Sequence, residues 1–425
     1  MAQTPRIVGI RETLPLLHTL PLSLQHLMAM FGATVLVPLM FKVDPGLALL
    51  MNGLGTLVYS FFTRGGIPAY LGSSFAFIAP TLLIISKSGY AHAQSGFIVF
   101  GLFFVAVSFV IRWAGTRWLD IVMPAPVMGA VVAVIGLELA PAAASMSGLV
   151  GDCHDHRAPL VAGFTLICGI VGSLTLRGRF RAIPVLTAVS AGYALAAALG
   201  MVDHRAVAEA AWLTLPDFHA PVFDAGAILI IAPAMLVVLA EHVGHLIVTG
   251  NITGEDLVRD PGLHRSLLGD GVSNVISGFT GAPPNTTYGE NIGVMAITRV
   301  YSVWVIRVAA LIAVAVSFLG KFAAIIRTIP VPVMGGICLL LFGVIAASGI
   351  RVLVERRVDL GRNANLVMAA VVFIVGVSGA KIEIGTVELK GMALAAVTGI
   401  AIALLLHVLG KLGWLNDTLD KEGME

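Results

Sequence analysis

Long apolar stretches separated by short polar loops run through almost the whole chain. A membrane-spanning helix needs about 20 apolar residues, or fewer where it is short or interrupted. By this criterion we predict fourteen spans, at residues 20–40, 46–62, 67–85, 96–111, 121–139, 160–176, 183–199, 227–248, 267–279, 288–297, 301–318, 333–350, 366–377 and 391–409. The ninth and tenth are too short to cross as plain helices. The pattern therefore predicts an all-α polytopic membrane protein with interrupted segments.

The composition agrees with this fold class. Of the 425 residues, 58% are hydrophobic and only 12% are charged, with a mean hydropathy of +0.95. A soluble domain carries about twice that share of charge. The few basic residues are scattered along loops rather than gathered into a stripe, so we expect membrane lipid and no nucleic acid as a partner.

The distribution of Lys and Arg predicts the orientation. With fourteen spans both termini lie on one side, and the loops of that side carry sixteen Lys and Arg residues against eight on the other side. The positive-inside rule then places both termini in the cytoplasm. The N-terminal residues have no apolar core followed by a small-residue cleavage site, so we expect no cleaved signal peptide and insertion into the cytoplasmic (inner) membrane by the first span.

An internal repeat is visible in two pairs of motifs. "AVSF" and "MPAPVMGAV" occur at 106–109 and 123–131, and "AVSF" and "IPVPVMGGI" occur at 315–318 and 329–337. The two copies are seven predicted spans apart. Because seven is odd, the second half must enter the membrane upside down, and inverted repeats are typical of secondary transporters with a site near the bilayer midplane.

Two corresponding spans, the third and the tenth, are rich in Pro and Gly. They read "IPAYLGSSFAFIAP" at 67–80 and "TGAPPNTTYGENIGVMAI" at 280–297. Such interruptions at membrane depth are tolerated only where the backbone is buried in protein or lines a cavity. We predict short extended segments at 69–72 and 286–289, each followed by a half-helix whose N–H groups face the protein centre.

Four acidic residues lie inside or near the spans: Glu138, Glu241, Asp270 and Glu290. An ionisable group at membrane depth is by default a functional hypothesis. Glu138 is near the end of its span, which favours a structural role, and Asp270 is near a border. Glu241 and Glu290 fall at the predicted break region, so we expect them to act in function.

Two histidines accompany Glu241. His245 is four residues on and shares its helix face, whereas His242 points about 100° away. We therefore expect His242 to be a core histidine hydrogen-bonded to its neighbours, and for His245 both function and packing stay open. The order E-H-x-x-H differs from the zinc-protease motifs, which leaves a membrane metalloenzyme as a remote alternative and predicts no metal site.

Cysteine usage adds no further chemistry. Cys153, Cys168 and Cys338 are far apart, so they form neither a disulfide framework nor a CxxC pair. The stretch "DCHDH" at 152–156 resembles a metal cluster, but we interpret it as a polar loop between spans.

The candidate groups point to one class of ligand. Carboxylates accept hydrogen bonds from N–H donors, and half-helix N-termini donate to carbonyl oxygens. Phe75 could stack on a ring, although a core or lipid-facing role is an equal alternative. A small planar molecule with alternating N–H and C=O groups, such as uracil or an oxidised purine, fits. Burial favours the neutral form of a carboxylate, so Glu241 is a candidate proton carrier.

"ENIGVMAITR" at 290–299 resembles the signature of the nucleobase–ascorbate transporter (nucleobase–cation symporter-2) family. The signature positions are occupied by Glu290, Asn291, Gly293, Thr298 and Arg299. "AEHVGHLIVT", "SLQHLMAMFGATVLVP" and "IPAYLGSSFAFI" resemble bacterial members that transport uracil. The likeness covers nearly the whole chain and fades near 148–159 and 202–225.

This resemblance implies a fold and an activity. It implies fourteen spans in two inverted seven-span repeats, with a core domain at 1–120 and 226–325 and a gate domain at 121–205 and 326–425. It implies proton-coupled import of a nucleobase, with the proton as coupling ion and no other cofactor. Membrane lipid is a further partner. Some family members form homodimers, and the sequence leaves the oligomeric state open.

The resemblance also implies the substrate site. It assigns to that site Glu241, Glu290, Phe75, Gly289, His245, Ser74 and Tyr288, with Glu241 and His245 in proton coupling. Glu rather than Gln at position 290 goes with uracil in this family, whereas Gln goes with xanthine or uric acid. A purine or an inorganic anion on the same scaffold remains the alternative substrate.

Overall fold

The computed structural model describes residues 7–151, 155–177, 180, 183–384 and 387–415, and most of these residues are helical. In chain order the helices are α1 (Leu16–Ala29), α2 (Phe31–Phe41), α3 (Pro45–Phe62), α4 (Ile78–Lys87), α5 (Tyr90–Ala114), α6 (Arg117–Val122), α7 (Ala125–Met146), α8 (Arg157–Thr175), α9 (Pro184–Ala198), α10 (His204–Glu209), α11 (Ala225–Thr253), α12 (Leu263–Thr280), α13 (Gly289–Thr298), α14 (Val303–Ser317), α15 (Gly320–Arg327), α16 (Val331–Glu355), α17 (Asn363–Val377) and α18 (Gly391–Lys411).

Two small antiparallel sheets accompany the helices. Strand β1 (Leu71–Ser73) pairs with β2 (Asn285–Thr287), and β3 (Lys381–Ile384) pairs with β4 (Val387–Lys390). The first sheet joins the two interrupted segments, and the second is a hairpin between α17 and α18.

Eight helical stretches of the described residues are long and apolar enough to cross a membrane. They are Leu16–Phe41, Pro45–Phe62, Tyr90–Ala114, Ala125–Met146, Arg157–Thr175, Ala225–Thr253, Val331–Glu355 and Gly391–Lys411. Large apolar side chains on these helices are exposed, among them Trp113, Leu174 and Val354. Because water disfavours an apolar surface of this extent and lipid does not, the chain is a multi-pass membrane protein.

A helix lies at each of the fourteen predicted segments, but the predicted length of the ninth was wrong. Helix α12 runs over 18 residues from Leu263 to Thr280, which is about 27 Å and nearly enough to cross. The length of the apolar run was shorter than the helix because α12 also carries polar side chains. Ser266, Asp270 and Asn274 are all buried against protein rather than exposed to lipid.

The two interruptions predicted from Pro and Gly are present. The extended residues are 71–73 and 285–287, one or two positions from the predicted 69–72 and 286–289. In the register, Gly72 is opposite Thr286, and the pairing extends through Ser74 N–H to Pro284 O (2.9 Å) and Tyr288 N–H to Tyr70 O (3.0 Å). Gly is required at position 72 because a Cβ there would collide with the ring of Tyr288. The sheet therefore satisfies the backbone groups that the broken helices leave free.

Aromatic packing fixes the chain beyond the first interruption. Phe77, in the 3₁₀ turn Phe75–Phe77 that precedes α4, is fully buried. Its ring lies 4.7 Å from that of Phe100 and 6.3 Å from that of Phe97, both on α5. Burial of such large rings is among the strongest packing contributions, so the start of α4 is anchored beside β1.

The helices pack in two sets. In the first, α12 lies against α3 and α5, α14 lies against α3 and α1, and α11 lies against α5. In the second, α16 lies against α7, α8 and α9, and α17 lies against α7 and α18. Helix α11 also contacts α18 and α7, and α2 contacts α9, so the two sets meet along α11 and α2.

Candidate substrate-binding site

Two helix N-termini meet at the β1–β2 sheet. Beyond β1 the chain enters the 3₁₀ turn and α4, and beyond β2 it enters α13, whose first turn contains Glu290. The first N–H groups of a helix have no partner within the helix and carry partial positive charge. The two interruptions therefore direct backbone donors toward one region of the protein.

Helix α11 contributes a carboxylate and an imidazole to the same region. The Glu241 Oε1 and His245 Nε2 atoms are 3.9 Å apart, and their side chains are 31% and 21% exposed. His245 Nδ1 lies 3.1 Å from the Thr287 hydroxyl oxygen of β2. Gly289 approaches the same ring, since a Cβ there would lie 3.1 Å from His245 Nε2. Sequence spacing placed Glu241 and His245 on one face, and the structure adds their contact with the second interruption.

Glu290 is the second carboxylate of this region. It is exposed although its neighbours Tyr288 and Asn291 are buried, so its side chain faces open space rather than packed protein. Helix α13 packs against α11, which places Glu290 within electrostatic range of Glu241, so the two carboxyl groups repel each other when both are ionised. The structure thus brings together the two acidic residues singled out in the sequence, 49 positions apart (290 − 241).

The first interruption supplies an aromatic wall and two hydroxyl groups. Half-buried Phe75 packs edge-to-face against Phe342 of α16, with ring centroids 6.3 Å apart and an interplanar angle of 85°. The hydroxyl oxygens of Ser73 and Ser74 are buried without a hydrogen-bond partner. The Tyr288 hydroxyl donates to the Ser73 carbonyl oxygen at 2.8 Å, which holds the two interruptions together.

Phe342 is a site residue that the sequence did not reveal. Helix α16 is apolar on both sides of Phe342, so nothing in its pattern distinguishes the side chain that meets Phe75 from those that meet lipid. Phe342 is nearly fully buried, at 1% exposure. It brings the second set of helices into contact with the site.

The profile of a permease family, Xan_ur_permease, matches residues 17–385. The chain belongs to the nucleobase–ascorbate transporter family. It is therefore a transporter and not an enzyme, which removes the membrane-metalloenzyme alternative.

Curated relatives of this family are similar over nearly their full length. The uracil permease of Paenibacillus larvae is 55% identical over 418 residues, covering 97% of this chain and 99% of the relative. The uracil permease of Escherichia coli K12 is 55% identical over 422 residues, covering 99% and 98%. Among solved structures, the transmembrane domain of the cyanobacterial bicarbonate transporter BicA has a TM-score of 0.60 at 16% identity, covering 95% of this chain and 99% of that domain, which shows a shared fold.

Most of the transporter-family signature contributes to structure rather than lining the site. Asn291 Nδ2 donates to the carbonyl oxygen of His26 at 3.2 Å and lies 3.0 Å from its Nδ1, tying α13 to α1. Thr298 donates to the Val294 carbonyl oxygen at 2.9 Å. Arg299 adopts left-handed backbone geometry (φ 57°) and ends α13. A Cβ at Gly293 would meet nothing within 4 Å.

Glu138 lies away from this site and has a structural contact. Its Oε2 accepts a hydrogen bond from the Met392 N–H at 2.7 Å, in the first turn of α18. A carboxylate at a helix N-terminus is stabilised by the helix dipole. The contact agrees with the structural role expected from the sequence.

No group of three or more His, Cys, Asp or Glu side chains that could hold a metal ion occurs among the described residues. Of the "DCHDH" stretch, residues 152–154 lie outside that part of the chain, and so does Cys153. Asp155 pairs with Arg157 at 2.9 Å, and hydrogen bonds from Arg157 lower the pKa of that exposed carboxyl group.

Proposed function

We propose that the protein is a proton-coupled symporter that imports uracil across the cytoplasmic membrane by alternating access. The observation that carries this proposal is the convergence of Glu241 and Glu290 beside two half-helix N-termini joined by β1 and β2. The names of the curated relatives, uracil permeases at 55% identity, support the choice of substrate.

The chemistry of the site matches that of a pyrimidine base. Uracil has N–H groups that would donate hydrogen bonds to the Glu241 and Glu290 carboxylates. Its carbonyl oxygens would accept hydrogen bonds from the backbone N–H groups near Phe75 and Gly289. The ring of Phe75 offers a face for stacking. Ser74, Tyr288 and His245 complete the wall, with the free Ser74 hydroxyl available to a substrate carbonyl.

Coupling to a proton follows from the proximity of the two carboxylates. Like charges at short range oppose each other's ionisation, and the opposition is stronger where water is scarce. A proton taken up on Glu241, with His245 as its neighbour, removes the repulsion while Glu290 stays available to accept from the base. Proton and base then bind together more favourably than either alone, which is the requirement for symport.

Fourteen spans in two inverted halves are supported by two regularities of the packing. The contact of α12 with α5 has its counterpart in the contact of α14 with α3 when each helix is replaced by the equivalent helix of the other half. The contact of α8 with α9 has its counterpart in that of α17 with α18 in the same way. The equivalent strands β1 and β2 are antiparallel, as a two-fold axis in the membrane plane requires. We assign residues 1–120 and 226–325 to the core and 121–205 and 326–425 to the gate, which correspond to the two packing sets.

An anion such as bicarbonate is the weaker alternative, although the fold is shared with a bicarbonate transporter. An anion site should carry basic side chains, whereas this one presents two carboxylates. Xanthine is weaker because Glu occupies position 290. We expect unlabelled uracil to displace labelled uracil from the purified protein, while xanthine and bicarbonate at the same excess do not. If xanthine or bicarbonate displaced labelled uracil as effectively as unlabelled uracil does, the substrate assignment would be contradicted.

Core and gate are joined at one edge by an ion pair. Lys87 Nζ, at the end of α4, lies 2.9 Å from Glu388 Oε2 of β4. The hydrogen bond from Lys87 lowers the pKa of Glu388, so the pair stays charged at neutral pH. In the proposed cycle this contact must open when the core moves against the gate.

Crosslinking tests whether that movement is needed for transport. In a background lacking the three native cysteines, Lys87→Cys with Glu388→Cys should lose uracil uptake when joined by a short reducible thiol crosslinker and regain it after reduction. Lys381→Cys with Glu383→Cys, a pair within β3, is the matched control and should keep uptake when joined. Unchanged uptake in the crosslinked first pair would contradict the assigned movement.

A further inference from the structure

His242 and Asp270 form a fully buried pair on the side of α11 that faces α12. His242 Nδ1 lies 2.9 Å from Asp270 Oδ2, and both side chains are 0% exposed. His242 Nε2 lies 2.7 Å from the Ser266 hydroxyl oxygen. The imidazole is therefore held on both nitrogens, by two residues of α12.

Asp270 continues this contact toward the second interruption. The Asn274 side-chain amide donates to Asp270 Oδ1 and to the Asn285 carbonyl oxygen, each at 2.9 Å, and its oxygen accepts the Asn285 N–H at 2.8 Å. The Thr286 hydroxyl lies 3.5 Å from Asp270 Oδ2. Strand β2 is thus held on α12 through Asp270 and Asn274.

The residues after this anchor form the proposed substrate site. Thr287 contacts His245, and α13 then begins at Gly289 and carries Glu290. On α11, adjacent residues point about 100° apart, so fixing His242 against α12 also fixes the direction of Glu241. One buried contact therefore orients the helix bearing the first carboxylate and the strand leading to the second.

We propose that His242 and Asp270 are positioning residues for substrate binding, acting through α11 and β2 without touching the base. This inference rests on the proposed uracil transport. It assigns a role to His242, which the sequence indicated only as a hydrogen-bonded core residue. A site built from two elements depends on the groups that hold those elements together, and a misplacement of about 1 Å can cost about a hundredfold in rate.

The test measures uracil affinity and transport in purified, reconstituted variants. His242→Ala and Asp270→Ala should each raise the KM and the Kd for uracil at least about tenfold, with a smaller change in kcat. Accumulation should still follow the imposed pH gradient, with the pH optimum of the wild type. The double variant His242→Asn with Asp270→Asn, which restores an uncharged hydrogen-bonding pair, should recover part of the affinity.

Thr165→Val is the matched control. It removes a buried hydroxyl that donates to the Val161 carbonyl oxygen at 2.8 Å inside α8, away from α11 and α12, and should leave uracil affinity unchanged. If Asp270→Ala does not fold, as judged by gel filtration and circular dichroism, His242→Asn and Ser266→Ala carry the test, because each keeps Asp270 in place.

The outcomes separate this inference from the function on which it depends. Wild-type protein that fails to bind uracil would overturn the proposed function. Wild-type binding with unchanged affinity in the His242 and Asp270 variants would overturn the positioning role. Retained affinity together with lost proton-driven accumulation would also overturn it, since the pair would then act in proton transfer.

Discussion

Glu290→Ala is expected to weaken uracil binding strongly and to reduce uracil uptake in step. The Glu290 carboxylate is exposed at the start of α13, beside Glu241, where it would accept an N–H of the base. A hydrogen bond to a charged group contributes about 1.5–3 kcal/mol, which corresponds to a roughly 10- to 150-fold weaker Kd. Calorimetry with purified protein and uptake of labelled uracil into vesicles measure the two effects.

Two further substitutions sharpen this result. Glu290→Gln keeps one acceptor oxygen, so we expect a smaller loss of uracil affinity than in Glu290→Ala. Following the family pattern, we also expect a gain in xanthine affinity. Glu355→Gln is the control, because Glu355 is exposed at the end of α16 and pairs with Arg351 at 2.7 Å. Wild-type binding by Glu290→Ala would remove Glu290 from the site.

Glu241→Gln is expected to separate substrate exchange from proton-driven accumulation. Glutamine keeps the size and hydrogen bonding of a protonated carboxyl group but cannot take up or release a proton. Uracil exchange between equal concentrations should persist, since the repulsion with Glu290 is gone permanently. Accumulation against a gradient should be lost, whereas one-to-one symport in the wild type can give about tenfold accumulation per pH unit.

The pH dependence of binding gives a second measurement on the same variant. In the wild type, uracil should bind more tightly as the pH falls from 8 to 6, because a proton on Glu241 relieves the repulsion with Glu290. The affinity of Glu241→Gln should be flat over that range. A Glu241→Gln protein that still accumulates uracil under a pH gradient would show that the proton is carried elsewhere.

The sequence indicates the fold through its breaks as much as through its apolar runs. The two interrupted segments were predicted correctly from Pro68, Gly72, Pro283 and Pro284, because Pro and Gly destabilise a continuous helix. The pairing of β1 with β2 could not be predicted from the sequence, because a three-residue strand has no pattern that identifies a partner more than two hundred positions away. The length of α12 was missed because its buried polar residues resemble a loop.

The candidate site shows the same division. The four-residue spacing of Glu241 and His245 was sufficient to place them on one face. The approach of His245 to Thr287 and of Phe75 to Phe342 depends on tertiary packing, and neither Thr287 nor Phe342 stands out from its surroundings. His242 and Asp270 were each visible as polar residues near spans, but only the structure shows that they meet.

In the proposed transporter, the broken helices form the substrate site, and buried polar contacts hold that site in place. The antiparallel sheet brings the two half-helices together, and α11 adds Glu241 and His245. Phe342 extends the site to the second set of helices, so that movement between the sets would open and close it. Each proposed site residue thus lies on, or packs against, a broken helix or a helix with buried polar side chains.

The most direct measurement is the uptake of labelled uracil into proteoliposomes containing the purified protein, with an imposed inward proton gradient. The account predicts transient accumulation of uracil above its external concentration, which collapses when an uncoupler dissipates the gradient. Uptake that only equilibrates, or that continues unchanged in the presence of the uncoupler, would contradict proton-coupled uracil symport.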